Sequence, residues 1–249
     1  MTVDSLPVRQ ARNRTLIMLL LDTSASMRHT GAINELNDAL RDWAEELRGN
    51  DFLQTSGEIA MVTFGKDHVR AVDPRGRTGG QAEHPFAPLR EFAPPRLEAD
   101  GVTPMVEAIQ YALQVLSARK NELIREGLGL AYRPMIYVIT DGVPTDAEGH
   151  PTDRWRDVAA MLRQHEAGKH LLFFAMGVRG ADANVITGLA PQSHYVLSDT
   201  NFTEVMRLVS TSIGSAQAES RDAPAEHIYE HFRQDNAKNE AMREWLQSG

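Results

Sequence analysis

The sequence predicts an α/β fold: a doubly wound, mostly parallel, Rossmann-like sheet with one antiparallel edge strand and helices on both faces. Two observations carry this prediction. Continuous apolar runs of strand length, such as 16–21 and 135–139, are typical of strands that are buried on both faces. Segments with apolar residues at helical spacing separate the strand-like runs, which is the pattern of βαβ units in a parallel sheet.

The first half of the chain reads as a strand, a helix and a hairpin. Strand 16–21 precedes a helix over 32–47, whose apolar residues fall on one face: Ile33, Leu36, Leu40, Trp43 and Leu47. Residues 58–64 form the next strand, and residues 69–72 continue it as a hairpin. A connecting segment rich in Pro, Gly and Arg follows, with one short edge strand near 86–92, where prolines are tolerated.

The second half repeats the alternation. A helix opens at Thr103-Pro104, with Thr103 as its N-cap and Pro104 at the first helical position. The remaining predicted elements are a strand at 135–139, a helix from Trp155, a strand at 171–176, a short helix at 183–189, a strand at 195–197 and a helix from Phe202 to Ile213.

These elements predict one domain with an extension at each end. We assign residues 1–14 to an N-terminal extension, residues 15–216 to the domain and residues 217–249 to a C-terminal helical tail. After Ala216 the composition shifts to Ala, Glu and Arg with sparse apolar residues. The tail is a docked helix, a partner-binding helix or a partly ordered segment, and its composition favours one or two helices.

Composition excludes several classes of function. The chain has 249 residues, a net charge of −8 and no cysteine. The missing thiols exclude disulfide scaffolds, zinc–thiolate sites, iron–sulfur clusters and cysteine nucleophiles. The acidic balance argues against general binding to nucleic acid. The longest apolar run is short of the roughly 18–20 residues that cross a membrane. We therefore expect a cytoplasmic protein with no nucleic-acid and no membrane partner.

Three polar motifs follow predicted strands or precede a predicted helix. Asp22, Ser24 and Ser26 form an Asp-x-Ser-x-Ser pattern after the first strand, Thr103 lies in the loop before a helix, and Asp141 ends the second long strand. Ligands of open parallel sheets bind outside the carboxyl ends of strands. A donor set made only of oxygen suits a hard cation, here Mg²⁺ with Mn²⁺ as the alternative.

In this order, Asp-x-Ser-x-Ser, Gly-x-Thr103 and Thr-Asp141-Gly resemble the metal-ion-dependent adhesion site of von Willebrand factor A domains. The resemblance implies a Mg²⁺ site on the top face of the sheet, with hydroxyl groups from Ser24, Ser26 and Thr103 at the metal. Asp22 and Asp141 would act through water or through hydrogen bonds to those hydroxyls. A coordination position would stay open to an Asp or Glu of a protein partner.

Three longer segments resemble a narrower group, the bacterial cytosolic A-domain proteins of the tellurium-resistance type. They read Leu-Leu-Leu-Asp-Thr-Ser-Ala-Ser-Met, Phe-Ala-Pro-Pro-Arg-Leu-x-x-x-Gly-x-Thr and Ile-Thr-Asp-Gly-Val-Pro-Thr-Asp. This resemblance implies a bacterial stress-response system with kinase or phosphatase partners.

The main hypothesis is a non-enzymatic, metal-dependent protein-interaction module. The alternative is a metal-dependent hydrolase or phosphatase that uses the same pocket, although a phospho-aspartyl enzyme would have Asp at position 24, where this chain has Ser. Taken alone, 22–26 also fits a helix-capping turn, and Thr145 and Asp146 fit either the rim of the site or a polar loop.

Two further patterns have a plain interpretation beside a functional one. His227-x-x-Glu230-His231 matches a zinc-peptidase pattern, but a solvated helix face explains it better because a third ligand is missing. The arginines at positions 70–96 form either a basic loop or a flexible connector, and the connector is favoured.

Overall fold

The computed structural model describes residues 13–77 and 80–247. The predicted N-terminal extension therefore lies outside the described residues, apart from Asn13 and Arg14. Within the described ranges, seven strands form one sheet in the order β3-β2-β1-β5-β6-β7, and β4 pairs with β2 beside β3. The strands are β1 (Thr15–Thr23), β2 (Gly57–Gly65), β3 (His68–Val72), β4 (Phe86–Pro88), β5 (Met135–Thr140), β6 (Leu172–Gly177) and β7 (His194–Val196).

Helices connect the parallel strands. They are α1 (Ala25–His29), α2 (Ala32–Leu47), α3 (Asp51–Ser56), α4 (Met105–Arg125), α5 (Trp155–Ala167), α6 (Ala183–Leu189), α7 (Phe202–Ala218) and α8 (Ala225–Gln247), with a 3₁₀ turn at Leu89–Glu91. Short polar side chains begin several of them. Asn50 accepts a hydrogen bond from the Leu53 amide at the start of α3, and Asp182 accepts one from the Asn184 amide at the start of α6.

The central strands are apolar on both faces because helices cover both. Ile17, Leu19 and Leu21 of β1 belong to the core beneath α2, α7 and α8. Leu16, Met18 and Leu20 alternate with them and pack in the core beneath α4, α5 and α6. The predicted doubly wound α/β class with its antiparallel edge is confirmed, and β3 and β4 both run antiparallel to β2 at that edge.

The predicted start of the long helix after Thr103 is wrong by one residue. Met105 is the first helical residue, and the carbonyl of Pro104 accepts the hydrogen bond from the Ala108 amide. Pro104 therefore occupies the N-cap position that the sequence assigned to Thr103. As a result Thr103 stands outside the helix, in the loop at the carboxyl edge of the sheet.

Helix α8 lies within the predicted tail and packs against the domain. Its residues Ile228, Tyr229 and Phe232 are buried in the same core as α2 and α7. The Phe232 ring lies 5.5 Å from the Phe174 ring of β6 in a T-shaped contact. Of the three states left open for the tail, the structure has the docked helix.

In the part of the chain that the structure covers, each helix is too short or too polar to pass through a membrane.

Candidate metal centre

The candidate metal centre lies where two neighbouring parallel strands end. Strands β1 and β5 pair in parallel, with Leu21 opposite Ile139, so Asp22 and Asp141 follow at the same edge of the sheet. The chain leaves β1 towards β2 on one side, whereas β5 lies on the other side. This is the topological switch point at which open α/β sheets bind ligands.

Asp22 is buried and held at both carboxylate oxygens. Its Oδ1 accepts a hydrogen bond from the Ser24 amide at 2.8 Å, and its Oδ2 accepts one from the Thr140 hydroxyl. Burial raises the pKa of Asp22 from 3.8 to about 6, although the hydrogen bonds from Ser24 and Thr140 oppose that rise. A cation bound beside Asp22 would favour the ionised carboxylate.

Ser24, Ser26 and Asp141 form a chain of hydrogen bonds across the centre. Ser26 Oγ donates to Asp141 Oδ1 at 2.7 Å, and the two serine Oγ atoms lie 3.0 Å apart. Since a hydroxyl has one hydrogen, Ser24 donates to Ser26 when Ser26 donates to Asp141. Burial raises the pKa of Asp141, and hydrogen bonds from Ser26 and Thr30 act in the opposite direction.

Thr103 is positioned by backbone contacts on two sides. The Asp100 amide donates to the Thr23 carbonyl at 2.9 Å, which ties the loop to the end of β1. On the other side, the Thr103 amide donates to Thr145 Oγ1 and the Thr145 amide donates to the Thr103 carbonyl, both at 2.9 Å. Thr145 thus fixes the loop that carries the third candidate hydroxyl.

The candidate ligands of the three motifs surround the position of a missing side chain at Gly142. A Cβ atom on this glycine would lie 3.4 Å from Thr103 Oγ1, 3.5 Å from Asp22 Oδ2 and 3.7 Å from Ser26 Oγ. These oxygen atoms come from the end of β1, the start of α1 and the loop before α4, and they face one small space. Hydroxyl and carboxylate oxygens are the ligands that a hard divalent cation prefers, so the residues present fit such an ion.

The centre opens into a wide groove of about 510 Å³, which we call the metal-site groove. Its lining residues are Ser24, Ser26, Thr30, Gly101, Val102, Thr103, Asp141, Gly142, Val143, Thr145, Gly149, Arg179 and Gly180. Arg179 is the only cationic residue among them, and within the described residues no ion pair involves its side chain. A positive side chain thus stands at the rim of an acidic, hydroxyl-rich site.

The structure brings all five residues that the sequence singled out, Asp22, Ser24, Ser26, Thr103 and Asp141, to this one centre. The sequence analysis missed the roles of Thr30, Thr140 and Arg179. Thr30 lies four residues after Ser26, at a spacing that places both on one side of a helical turn. Arg179 follows strand β6, so the rule that sites form at the carboxyl ends of strands already pointed to it.

The zinc-peptidase pattern in the tail has a structural explanation. His231 of α8 is half-buried and lies 3.6 Å from Glu219, which follows α7, and 3.4 Å from Asp235 of its own helix, while His227 and Glu230 are exposed. Among the described residues, no cluster of three or more histidine, aspartate or glutamate side chains is placed to hold a metal ion. The solvated helix face is therefore the better interpretation.

Comparison with solved structures finds matches at 14–18% identity. The pilus adhesin SpaC from Lactobacillus rhamnosus GG superposes with a TM-score of 0.55 at 14% identity, over 81% of this chain and 30% of that chain. The mussel byssus protein PTMP1, with a zinc-occupied MIDAS (metal-ion-dependent adhesion site) motif, superposes with a TM-score of 0.48 at 16% identity. The match covers 79% of this chain and 45% of PTMP1. Manganese-loaded TRAP from Plasmodium vivax gives 0.48 at 18% identity, over 78% of this chain and 72% of that chain.

Sequence comparison gives a family but no individual relative. No curated protein sequence matches the chain significantly. The family model of the von Willebrand factor type A domain matches residues 17–211, which include every strand after the first two residues of β1 and all five candidate ligands. The chain therefore belongs to the von Willebrand factor type A domain family.

Proposed function

We propose that this protein is a non-enzymatic interaction module that captures an acidic side chain of a partner protein through a divalent cation. The cation is Mg²⁺, with Mn²⁺ as the alternative. The observation that carries the proposal is the convergence of Thr103 Oγ1, Asp22 Oδ2 and Ser26 Oγ on one space at Gly142, beside an open groove.

Five residues of the chain would hold the cation. Ser24, Ser26 and Thr103 offer hydroxyl oxygens, while Asp22 and Asp141 are already engaged in hydrogen bonds to neighbouring groups. When bound, the cation supplies a positive charge to which a carboxylate from outside can bind. The hydrogen-bond chain through Ser24, Ser26 and Asp141 holds the hydroxyl oxygens in place before any ligand arrives.

The electrostatics of the groove support an acidic partner. Three of the five candidate ligands are neutral hydroxyls, so the chain itself supplies at most two negative charges to a divalent cation. Arg179 adds a positive side chain at the rim, and no ion pair involves it within the described residues. Both the cation and this guanidinium would attract an aspartate or glutamate of a partner.

The same residues support a binding role over catalysis. The described lining of the groove contains no histidine that could act as a base for Ser24, and the Ser24 hydroxyl is hydrogen-bonded to Ser26. Position 24 offers a hydroxyl where a phospho-aspartyl enzyme would need a carboxylate. Turnover of a generic phosphate ester that disappears in Asp22→Ala would replace this proposal with a hydrolase or phosphatase.

We further place the module in a cytoplasmic, bacterial stress-response system of the tellurium-resistance type, with kinases or phosphatases among its partners. The support is the likeness of the segments around Asp22, Thr103 and Asp141 to that group. The identity of the captured protein tests this placement.

A capture experiment tests the proposed function. The wild-type chain, Thr103→Val and Thr55→Val are immobilised and exposed to bacterial lysate with Mg²⁺ or with EDTA. Thr55 is exposed on α3, at the amino end of the sheet, so its replacement is a matched control. We expect a partner that binds wild type and Thr55→Val only with Mg²⁺, and that is lost in Thr103→Val.

The captured partner then gives the decisive test. Replacing its contacting Asp or Glu by Asn or Gln should abolish capture, because the amide carries no charge for the cation. Binding that persists in EDTA and in Thr103→Val would overturn the metal-dependent function.

A further inference from the structure

A second cavity, of about 300 Å³, lies at the end of β1 on the face opposite to Asp22. Thr23 lines it, and successive residues of a strand point to opposite faces, so Thr23 points away from the metal centre. The polar and charged residues that line it as well are Thr63, Lys66, Asp67, Arg70, Arg96 and Glu98. We call it the Thr23–Thr63 cavity, and we propose that it binds an oxyanion of the phosphate class.

Strand register brings the two threonines and one arginine to the same face. Thr63 of β2 pairs with Leu21 of β1, and Thr23 follows Leu21 by two residues, so both hydroxyl groups lie on one face of the sheet. Thr63 also lies opposite Arg70 of β3 in the antiparallel pair. Directly opposite residues of an antiparallel pair share a face, so Arg70 extends beside Thr63.

The cationic side chains outnumber the acidic ones around this cavity. Among the described residues that line it, three are cationic (Lys66, Arg70 and Arg96) and two are acidic (Asp67 and Glu98). Arg96 donates a hydrogen bond to the neutral side chain of Asn34 at 2.7 Å rather than to a carboxylate. The lining therefore has one positive charge in excess, which an oxyanion would balance.

The two acidic residues are placed so that an anion can displace them. Asp67 lies 3.2 Å from Arg70, and Glu98 contacts Lys66. The acidic side chains are 55% and 73% exposed, whereas Arg70 and Lys66 are only 27% and 36% exposed. Ion pairs with an exposed partner contribute little stability, so both carboxylates can turn to solvent at small cost. The cations remain at the cavity.

Two hydroxyl groups supply a second, independent observation. The Thr23 and Thr63 side chains are buried, each residue being 2% exposed, and among the described residues neither Oγ1 has a hydrogen-bond partner. Buried hydroxyl groups normally find a partner, and leaving one without a partner is costly. Phosphate oxygens accept hydrogen bonds, so an oxyanion that moves into this cavity gives both donors an acceptor next to the cations.

The inference is separate from the proposed function. It needs none of the five candidate metal ligands, and its test runs in EDTA, so that phosphate cannot bind to a cation at the metal centre. Failure of one proposal therefore leaves the other standing.

Titration calorimetry on the full chain tests the inference. The wild type is titrated with inorganic phosphate in EDTA near neutral pH, with ionic strength held constant by NaCl, and then with phosphoserine as a monoester probe. We expect saturable phosphate binding. Equal affinity for phosphoserine would assign the site to phosphate monoesters. Binding of inorganic phosphate without binding of phosphoserine would assign it to the free ion. Both outcomes support the proposal.

Four variants identify the cavity. Thr63→Val removes one hydroxyl at constant shape, and should weaken phosphate binding about fivefold. Arg70→Gln should weaken it at least about tenfold, through loss of a charged donor. Glu98→Gln removes a competing carboxylate and should strengthen binding about two- to fivefold. Arg90→Gln, which alters an exposed arginine outside the cavity, should change nothing.

Thr63→Val and Glu98→Gln keep the test interpretable if Arg70→Gln impairs folding. No phosphate binding beyond the response to added NaCl, or the same affinity in wild type, Thr63→Val and Glu98→Gln, would overturn the inference.

Discussion

Ser26 donates a hydrogen bond from its Oγ to Oδ1 of Asp141 at 2.7 Å, and so joins two motifs that stand 115 positions apart in the chain. The bond uses the only hydrogen of the Ser26 hydroxyl, and Ser24 donates to one lone pair, so one lone pair of the Ser26 oxygen is left for a cation. Asp141 thereby orients the Ser26 hydroxyl, and its Oδ1 accepts a hydrogen bond instead of coordinating the ion directly. The site is arranged before a ligand binds, which lowers the entropy lost on binding.

Gly142→Ala should abolish cation binding and leave the fold intact. The new methyl group would lie 3.4–3.7 Å from three candidate ligand oxygens, which is ordinary van der Waals contact in the metal-free protein. It would nevertheless fill the space that these oxygens share. We expect at least about a 100-fold loss of Mg²⁺ or Mn²⁺ affinity by calorimetry, with a change in stability within about 0.5 kcal/mol.

Gly214→Ala is the matched control, because among the described residues a methyl group there meets no atom within 4 Å apart from the backbone of its own helix. Undiminished cation affinity in Gly142→Ala would show that the ion does not bind among these oxygens.

Thr103→Val and Thr145→Val should separate a metal ligand from the residue that positions it. Valine keeps the shape of Thr103 but removes the oxygen, so cation affinity should fall at least about tenfold. Thr145→Val removes the acceptor of the Thr103 amide hydrogen bond, and the loss of one such bond costs about 1 kcal/mol. We expect this variant to lose cation affinity by about fivefold and to lose stability as well.

Calorimetric titration with Mn²⁺ and urea unfolding distinguish the two roles. Equal cation affinity in wild type and Thr103→Val would exclude the Thr103 hydroxyl from the site.

Metal-free protein should lose stability as the pH rises through the raised pKa of Asp22. Burial sets this pKa at about 6, against an ordinary value of 3.8, so the folded state favours the protonated carboxyl. The stabilisation from protonation is fully present below pH 3.8 and is lost as the pH rises through about 6. The full difference corresponds to about 3 kcal/mol.

Asp22→Asn isolates this effect, since the amide oxygen can still accept the hydrogen bond from the Ser24 amide. In EDTA, the variant should gain stability relative to wild type as the pH increases from about 4 to about 7, measured by urea unfolding at each pH. A constant difference between the two proteins over this range would contradict the prediction. In wild type, Mg²⁺ affinity should fall below pH 6, because protons compete with the cation for Asp22.

Much of this architecture follows from sequence patterns alone. The runs 16–21 and 135–139 predict neighbouring buried strands, and parallel strands end at the same edge, which places Asp22 beside Asp141. The short helices α1 and α3 were missed because five or six residues give fewer than two turns, too few for a periodic pattern.

Two details depend on tertiary contacts that no local pattern encodes. Whether Thr103 or Pro104 caps α4 is a difference of one residue, yet it decides whether the Thr103 hydroxyl faces the helix or the site. The docking of α8 depends on Phe174 of β6, which meets Tyr229 and Phe232 across a long stretch of sequence.

Arg179→Gln should weaken capture of an acidic partner without weakening cation binding. The guanidinium lies at the rim of the metal-site groove and makes no ion pair within the described residues, so its removal costs the fold little. A lost charge-assisted contact should reduce partner affinity about tenfold. Cation affinity should stay the same or rise, because a nearby positive charge repels the ion.

Binding of the captured partner to immobilised protein measures the partner affinity, and calorimetric titration with Mn²⁺ measures the cation affinity. Arg156→Gln, which changes an exposed arginine that stacks on Trp155 outside this groove, is the control. Equal loss of partner affinity in both variants would assign the effect to overall charge instead of to Arg179.

Phe232→Ala should destabilise the whole domain, because α8 completes its core. Phe232 is 0% exposed and packs against Phe174 and Tyr195, and Tyr229 one turn earlier donates a hydrogen bond to Glu166. Truncating a buried phenylalanine costs about 3–5 kcal/mol.

Met242 lies further along α8 with 59% exposure, so Met242→Ala should change stability by no more than about 0.5 kcal/mol. Urea unfolding of both variants measures the difference. Similar stabilities for the two would mean that the helix does not remain docked in solution, and its apolar face would then be available to a partner.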